Sequence, residues 1–213
     1  MENTEVIRRA FVAAALALIM SSGSASAATA TAFGNSFTAR TGSWYDKLNL
    51  GDDNFAVSGA VCNSALTDLA GRRLATQIKK WSAAGKPVGS AVIVFMGIND
   101  VQETGNLSGS QSAYRTALGN IRPAVVAKGA KLILATIPDL GRMPLYKGTS
   151  QAATMTSRSK AWNSFIKNTA PNYGAVVVDL FNKLTDPSLI GSDGLHPNSK
   201  GQQVIANAIA AKL

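Results

Sequence analysis

Any chemistry that needs an imidazole depends on one position, because His196 is the only histidine of the chain. Asp193 stands three residues before it, and a carboxylate at that spacing in a turn can accept a hydrogen bond from Nδ1 of the ring. Such a bond would fix the tautomer and stabilise the imidazolium that forms when the ring takes up a proton. A turn in which Asp193 only caps the following segment explains the same spacing.

Ser36 is the candidate nucleophile, because it follows the first predicted strand and a strand-to-helix turn exposes a hydroxyl at that point. A serine there can equally be a helix N-cap. The pattern G-x-S-x-G does not occur in the sequence, which excludes the nucleophile elbow of the α/β-hydrolases.

Two further positions could donate hydrogen bonds to a developing oxyanion. At Gly59 the backbone N–H can approach a ligand without a side chain in the way, although a tight turn also explains the glycine. Asn99 follows the most apolar predicted strand, and its carboxamide N–H is a known oxyanion donor. Asparagine after a strand is also common turn chemistry.

Composition excludes several kinds of site. With one cysteine and one histidine, a zinc site built from these residues is impossible, and a disulfide within the chain needs a second cysteine. The carboxylates are too dispersed for a typical metal-dependent hydrolase site. We therefore expect no metal and no cofactor, and we interpret Cys62 as a small buried apolar residue rather than a reactive thiol.

The elements that must position these residues alternate along the chain. Short apolar, β-branched runs are predicted as strands at 29–33, 54–57, 91–96, 131–136 and 175–179. Helical periodicity is found at 43–48, 64–84, 110–128, 150–170 and 199–212. Ser64 and Ser199 stand where N-caps are expected, and Gly85 and Gly129 where helices should stop.

Alternating strands and helices predict βαβ units and a parallel sheet. The run at 91–96 is apolar on both faces, as in a central strand that is covered on both sides. Ligands of such sheets bind beyond the carboxyl ends of the strands. Ser36, Gly59 and Asn99 each follow a predicted strand, and the loop with Asp193 and His196 follows the fifth, so we expect them to converge on one edge of the sheet.

The N-terminal segment predicts export. Arg8 and Arg9 precede an apolar run at 10–20, and Ala-Ser-Ala at 25–27 forms a small-x-small cleavage site. The run has eleven residues, too few as a helix to cross a bilayer core of roughly 30 Å. We interpret 1–27 as a signal peptide, which leaves 28–213 as one domain of a secreted or periplasmic protein.

The net charge of +9 comes from 21 Lys and Arg against 12 Asp and Glu. The basic residues are scattered, without the basic stripe and interleaved aromatic residues of nucleic-acid binders, so we expect no nucleic acid as a partner. A basic surface favours peripheral contact with anionic surfaces such as phospholipid head groups or acidic glycans. We expect a monomer.

In combination and order, these motifs resemble the four blocks of the SGNH hydrolases, also called GDSL esterases/lipases. The blocks are Gly-Asn-Ser-Phe at 34–37, Asn-Phe-Ala-Val-Ser-Gly-Ala at 54–60, Gly-Ile-Asn-Asp at 97–100 and Asp-Gly-Leu-His-Pro at 193–197. The segment 137–144 is similar to the branch of plant-type GDSL lipases, autotransporter esterases and secreted bacterial phospholipase/acyltransferases. The resemblance covers about 34–210. One departure is Asn35, where the family usually has an aspartate.

The resemblance implies a flavodoxin-like three-layer α/β/α sandwich with about five parallel strands. It also implies that Ser36 is the nucleophile, His196 the base and Asp193 its orienting carboxylate. The oxyanion hole would consist of the N–H groups of Ser36 and Gly59 and the side chain of Asn99. The chain is shorter than many members of that branch, so lid-like insertions are expected to be missing and modest acyl groups to be favoured.

The expected activity is hydrolysis of acyl esters by a secreted serine esterase or lipase; lipids, phospholipids and acylated glycans are all candidate substrates. Two alternatives keep the same site: an acyltransferase that passes the acyl group to another alcohol, and a polysaccharide O-acetyl esterase. A non-catalytic binding module that kept the fold is the alternative from another class, and Asn35 is the feature that favours it.

Overall fold

Four parallel strands form the sheet of the computed structural model, which describes residues 29–51, 53–63, 65, 67–103 and 107–213. The proposed signal peptide at 1–27 lies outside the described residues. The strands follow one another in space as in the chain: β1 Ala30–Gly34, β2 Ala91–Phe95, β3 Lys131–Ala135 and β4 Val176–Val178. Every residue of β1 and β2 is buried, because helices cover both faces of the sheet. The predicted α/β class with a parallel sheet is confirmed.

The predicted strand at 54–57 is present only as a strand-like edge. It forms one isolated parallel bridge, between Ala32 and Asn54. The N–H groups of Phe55 and Val57 nevertheless bond to carbonyls of β1, at 2.9 and 3.1 Å. The next N–H, that of Ala56, bonds to the Asn54 side chain instead. This side-chain bond occupies the outer edge of the segment.

The site's position follows from the order of these strands. The segment 53–57 lies on one side of β1 and β2 lies on the other. The order in which the chain adds strands to the sheet therefore reverses at β1. This is the flavodoxin-like arrangement, in which ligands bind at the reversal point outside the carboxyl ends of the strands. Ser36, Gly59 and Asn99 lie just beyond β1, the segment 53–57 and β2.

Helices connect and cover the strands. They are α1 Ser36–Ala39, α2 Trp44–Leu48, α3 Leu74–Ala83, α4 Ile98–Glu103, α5 Ser108–Lys128, α6 Ala152–Thr169 and α7 Ser199–Ala210. Short 3₁₀ helices span Thr67–Arg72, Leu140–Arg142, Ala170–Tyr173 and Pro187–Leu189. The sequence did not predict α1 and α4, each a single turn or little more, which begin at or next to the residues with candidate chemistry.

Two helix predictions need correction. The helix predicted at 64–84 is broken at Arg73, whose backbone is extended (φ −67°, ψ 148°), and the N–H of Leu74 bonds to the carbonyl of Val61. The last helix is capped by Asn198 rather than Ser199, because the Asn198 side chain accepts the N–H groups two and three residues on. Ser64, the other predicted cap, lies outside the described residues.

Other features of the interior match expectation. Gly129 ends α5 in the left-handed conformation, with φ 64°. Cys62 is a buried free thiol, and burial and the neighbouring Asp100 carboxylate raise the pKa of that thiol well above its usual value. In the part of the chain that the structure describes, no helix is both long and apolar enough to span a membrane.

Candidate active site

Asn35 organises the turn that presents Ser36. Its Oδ1 accepts the N–H of Phe37 at 3.0 Å, and its Nδ2 donates to the carbonyl of Phe95 at 3.2 Å. Asn35 is therefore the N-cap of α1, and Ser36 is the first helical residue. The alternative interpretation of Ser36 as the N-cap is wrong, and its hydroxyl is available for another partner.

That partner is His196, although the two residues are 160 positions apart. Ser36 Oγ lies 2.8 Å from His196 Nε2, and His196 Nδ1 lies 2.6 Å from Asp193 Oδ2. Phe37 packs against the imidazole with ring centroids 5.6 Å apart. The hydroxyl, the ring and the carboxylate thus form one hydrogen-bonded line, in which the ring can take a proton from the hydroxyl while the carboxylate holds the other nitrogen.

Asp193 combines the two functions that its spacing suggested. Its Oδ1 accepts the backbone N–H groups of Leu195 and His196, at 3.0 and 2.9 Å, and its Oδ2 binds the imidazole. Burial opposes ionisation of Asp193, but these N–H groups and the imidazole outweigh it and lower the pKa to about 2. Arg40 Nη1 lies 3.6 Å from Oδ2. The carboxylate therefore stays ionised at neutral pH.

Glycine is required in the loop that carries this pair. Gly194 has a φ of 73°, and an added Cβ would lie 2.8 Å from the backbone nitrogen of Leu145. The N–H of Leu145 in turn donates to the Gly194 carbonyl at 3.0 Å. Segment 143–147, which sequence reasoning did not connect with the site, thus supports the Asp193–His196 loop.

Two of the predicted oxyanion donors, Gly59 in a loop and Asn99 in α4, lie on segments that are hydrogen-bonded to each other. Gly59 has a φ of 73°, and Asn99 Nδ2 donates to the carbonyl of the next residue, Ala60, at 2.8 Å. A carboxamide nitrogen carries two hydrogens, so one remains for a ligand. The position of Asn99 is set by the end of β2, where Gly97 leaves room for the Trp162 indole, whose Nε1 donates to Met96 O at 3.0 Å.

No cluster of three or more His, Cys, Asp or Glu side chains suitable for a metal ion occurs among the described residues. The structure brings the predicted residues Ser36, His196 and Asp193 into direct contact, and it joins the loop of Gly59 to α4, which carries Asn99. Sequence reasoning gave no role to Asp100, which follows Asn99 in the third block; its place in that block was the available signal.

Comparison with known proteins agrees with this architecture. The model of the GDSL-like lipase/acylhydrolase family matches residues 32–204. No curated protein matches the chain at a significant level.

Solved structures share the fold. The α/β hydrolase LAE5 from the metagenome of Lake Arreo superposes with a TM-score of 0.62 at 18% identity, covering 86% of this chain and 94% of LAE5. The acetylxylan esterase Axe2 of Geobacillus stearothermophilus gives 0.60 at 18% identity, with 87% and 93% covered. A GDSL-like lipase of Bacteroides thetaiotaomicron gives 0.54 at 15% identity, with 86% of each chain covered. At these identities the likeness shows the fold, whereas the family match spans most of the sequence. The chain belongs to the GDSL-like lipase/acylhydrolase family and is a carboxylic ester hydrolase.

Proposed function

We propose that the chain is a secreted serine esterase, in which Ser36 attacks the ester carbonyl, His196 is the general base and Asp193 orients the imidazole. The observation that carries the proposal is the hydrogen-bonded line from Ser36 Oγ through His196 to Asp193, with distances of 2.8 and 2.6 Å. The line links a strand end to a loop 160 residues away, which local turn chemistry does not explain. It argues against the alternative of a binding module without catalysis.

The proposed reaction has two stages. In the first, Ser36 Oγ bonds to the carbonyl carbon as its proton moves to His196 Nε2, and collapse of the tetrahedral intermediate expels the alcohol, which takes that proton. In the second, water loses a proton to Nε2 and attacks the acyl-enzyme, and Ser36 regains its proton as the acid leaves. The N–H groups of Ser36 and Gly59 and Nδ2 of Asn99 would stabilise the oxyanion in both stages.

Short acyl esters, including acetyl groups on glycans, are the proposed substrate class. The chain is short for the branch whose motifs it resembles, and one protein that shares its fold is an acetylxylan esterase. Acyl transfer to an alcohol uses the same acyl-enzyme. An added alcohol acceptor and analysis of the products separate transfer from hydrolysis, since only transfer makes a new ester.

A preference for anionic substrates is supported by Arg72, one of two arginines near the site. Arg40 lies 3.6 Å from Asp193 Oδ2, and Arg72 Nη1 lies 2.8 Å from the point where a Cβ on Gly59 would stand. Among the described residues, no ion pair engages Arg72. Its charge is thus available to a carboxylate or phosphate on the substrate, in agreement with the net charge of +9.

The proposed function is tested with a panel of nitrophenyl esters, phospholipids and acetylated glycans, together with labelling by an active-site-directed fluorophosphonate. Wild type should be labelled at Ser36 and should hydrolyse at least one class, and Ser36→Ala and His196→Ala should lose nearly all activity because such residues act as a unit. Ser112→Ala, which removes an exposed hydroxyl from α5, is the matched control. Near wild-type activity in His196→Ala would refute the mechanism.

Export is part of the proposal and has its own test. The arginines, apolar run and small-residue site of 1–27 are the features that support it. When the full chain is expressed in a bacterial host, N-terminal sequencing of protein from the periplasm or medium should begin at Ala28. Full-length protein retained in the cytoplasm would contradict it.

A further inference from the structure

The most deeply buried charged group near the site is not among the residues given a chemical role above. Asp100 follows Asn99 in α4 and is fully buried. Burial raises the pKa of its carboxyl, while the neighbouring Ser110 hydroxyl and hydrogen bonds from the backbone of Cys62 and Asn63 oppose that rise. A buried carboxyl is costly unless donors surround it. The donors therefore indicate what this residue does.

The two backbone donors belong to the loop that follows Gly59. The N–H of Cys62 bonds to both carboxyl oxygens, at 2.9 and 3.0 Å, and the N–H of Asn63 bonds to Oδ1 at 3.1 Å. The Cys62 thiol also lies beside the carboxyl. In a helix or strand these two consecutive N–H groups would bond to backbone carbonyls. In this irregular loop the Asp100 carboxylate accepts them instead.

The preceding residue holds the same loop from its other end. Asn99 Nδ2 donates to Ala60 O at 2.8 Å, so adjacent side chains of α4 bind the loop at 60 and at 62–63. Between them they fix Gly59 relative to Asn99. These are the two proposed oxyanion donors that do not come from the nucleophile itself.

We infer that Asp100 is a positioning residue that sets the distance between the Gly59 N–H and the Asn99 carboxamide, and through it the shape of the oxyanion hole. The inference rests on the proposed function, because it assigns those two groups to the oxyanion. Oxyanion donors act through alignment of about 0.5 Å or better, so a small shift of the loop should lower kcat more than it changes substrate binding.

The negative charge of Asp100 does not explain why an aspartate is found at this position. A carboxylate behind the hole would repel a developing oxyanion and so oppose catalysis, unless its charge is offset by the N–H groups that it accepts. Its value to the site is that both of its oxygens accept N–H groups of the loop. In Asp100→Asn one oxygen becomes an NH₂ donor that faces the N–H donors of the loop, although shape and volume are kept.

Asp139→Asn is the matched control. Asp139 is also buried, with 5% exposed, and its Oδ1 also accepts a backbone N–H and a side-chain donor, from Gly141 at 3.1 Å and Thr156 Oγ1 at 2.6 Å. It serves a different loop, after β3. The two variants make the same chemical change at equal depth, but only Asp100→Asn alters the loop of Gly59.

The experiment measures kcat and KM on a nitrophenyl ester, with active sites counted by fluorophosphonate titration so that only folded enzyme contributes. Asp100→Asn should lower kcat about 10- to 100-fold with KM within about twofold. Asp139→Asn should keep kcat within about twofold. Equal losses of kcat in the two variants, or an unchanged kcat in Asp100→Asn, would overturn the inference.

A double-mutant cycle with Asn99→Ala separates positioning of the hole from a general structural role. If Asp100 acts through the hole, adding Asp100→Asn to Asn99→Ala should cost about threefold or less, because the geometry that it maintains is already lost. Fully multiplicative losses would contradict the inference. If Asp100→Asn does not fold, Asp100→Glu gives the test: it keeps the charge but moves the carboxylate by one methylene, and wild-type kcat would refute positioning.

Failure of this inference can be told apart from failure of the proposed function. Full activity in Ser36→Ala, or no loss in Asn99→Ala, would contradict the proposed function whatever Asp100→Asn does. Loss of activity in those two variants beside unchanged kcat in Asp100→Asn would overturn the positioning role alone.

Discussion

Asn35 donates from Nδ2 to the carbonyl of Phe95 while its Oδ1 accepts the N–H of Phe37. Both bonds are buried, and the asparagine itself is fully buried. The pair ties the turn of the proposed nucleophile to the end of the neighbouring strand. The family usually has aspartate here, and a carboxylate could accept from Phe37 but could not donate to Phe95. In this chain the neutral side chain matches both partners, so Asn35 is no sign of a lost activity.

Asn35→Asp should therefore destabilise the protein, although it restores the family's usual residue. The change removes one buried hydrogen bond and places a carboxylate oxygen against a carbonyl oxygen, which should lower the free energy of unfolding by about 1–3 kcal/mol. Chemical denaturation at neutral pH measures the loss.

Asn54→Asp is the matched control for that change. Asn54 makes the same two kinds of bond, accepting from Ala56 N at 3.1 Å and donating to Thr38 O at 2.9 Å, but it is only partly buried. Water can solvate the new carboxylate there, so Asn54→Asp should lower the free energy of unfolding by less than Asn35→Asp does. An equal loss at both positions would mean that burial does not decide the cost.

Local patterns predicted most of the sheet, and the resemblance to the four blocks of the family, rather than any single motif, implied that Ser36, His196 and Asp193 share one site. Apolar, β-branched runs identified the strands, and a sole histidine three residues after an aspartate left one candidate for the base. The branch within the family remains a prediction.

The differences have physical causes that lie far apart in the sequence. The break at Arg73 depends on a bond from Leu74 to Val61 in another segment. The contact of Asp100 with Cys62 spans 38 residues. Periodicity within a window contains no information about such partners.

The stability contributed by Asp193 should be lost in acid. Its pKa is about 2 in the folded protein, below the usual 3.8, so the unfolded chain binds a proton first as the pH falls. The contribution is present above about pH 4 and disappears as the pH approaches 2. Because 46% of the side chain is exposed, solvent screening limits it to about 1 kcal/mol.

Unfolding of wild type and Asp193→Asn by urea at pH 6 and at pH 2 tests this directly. The wild type should be the more stable at pH 6, and the two should converge at pH 2. A difference that persists at pH 2 would show that the stabilisation comes from something other than the ionised carboxylate.

Gly194→Ala should reduce activity through the position of the Asp193–His196 loop. The alanine would combine a φ of 73° with a contact of 2.8 Å to backbone, which cannot rotate away. Gly42 has a nearly equal φ of 74° and nothing within 4 Å of an added Cβ. Gly42→Ala therefore introduces the backbone strain without the steric contact. We expect at least a tenfold lower kcat for Gly194→Ala and little change for Gly42→Ala, since displacement of a general base costs about 10²-fold or more. Similar kcat values for both would contradict the argument.

Asn99→Ala should lower kcat by roughly 10²–10³, the usual cost of an oxyanion donor. Because Nδ2 also bonds to Ala60 O, part of the loss should come from the freed loop. Asn99→Asp keeps the shape and removes both donors, so it should be at least as impaired. Steady-state kinetics on a nitrophenyl ester provide the measurement, and an Asn99→Asp variant with wild-type kcat would exclude donation from this side chain.

Arg72→Ala should impair hydrolysis of anionic esters selectively. Its guanidinium lies against Gly59 without an acidic partner among the described residues, and an exposed ion pair contributes up to about 1 kcal/mol, or about fivefold in kcat/KM. Phenyl acetate and 4-acetoxybenzoate differ by one carboxylate, so the ratio of their kcat/KM values isolates the effect of the substrate's charge.

Arg122→Ala, on an exposed face of α5, is the control for net charge. Wild type and Arg122→Ala should share one ratio, Arg72→Ala should shift it about fivefold, and high salt should remove the shift because it screens exposed charges. Equal shifts in both variants would assign the effect to the overall charge of +9 rather than to a group at the site.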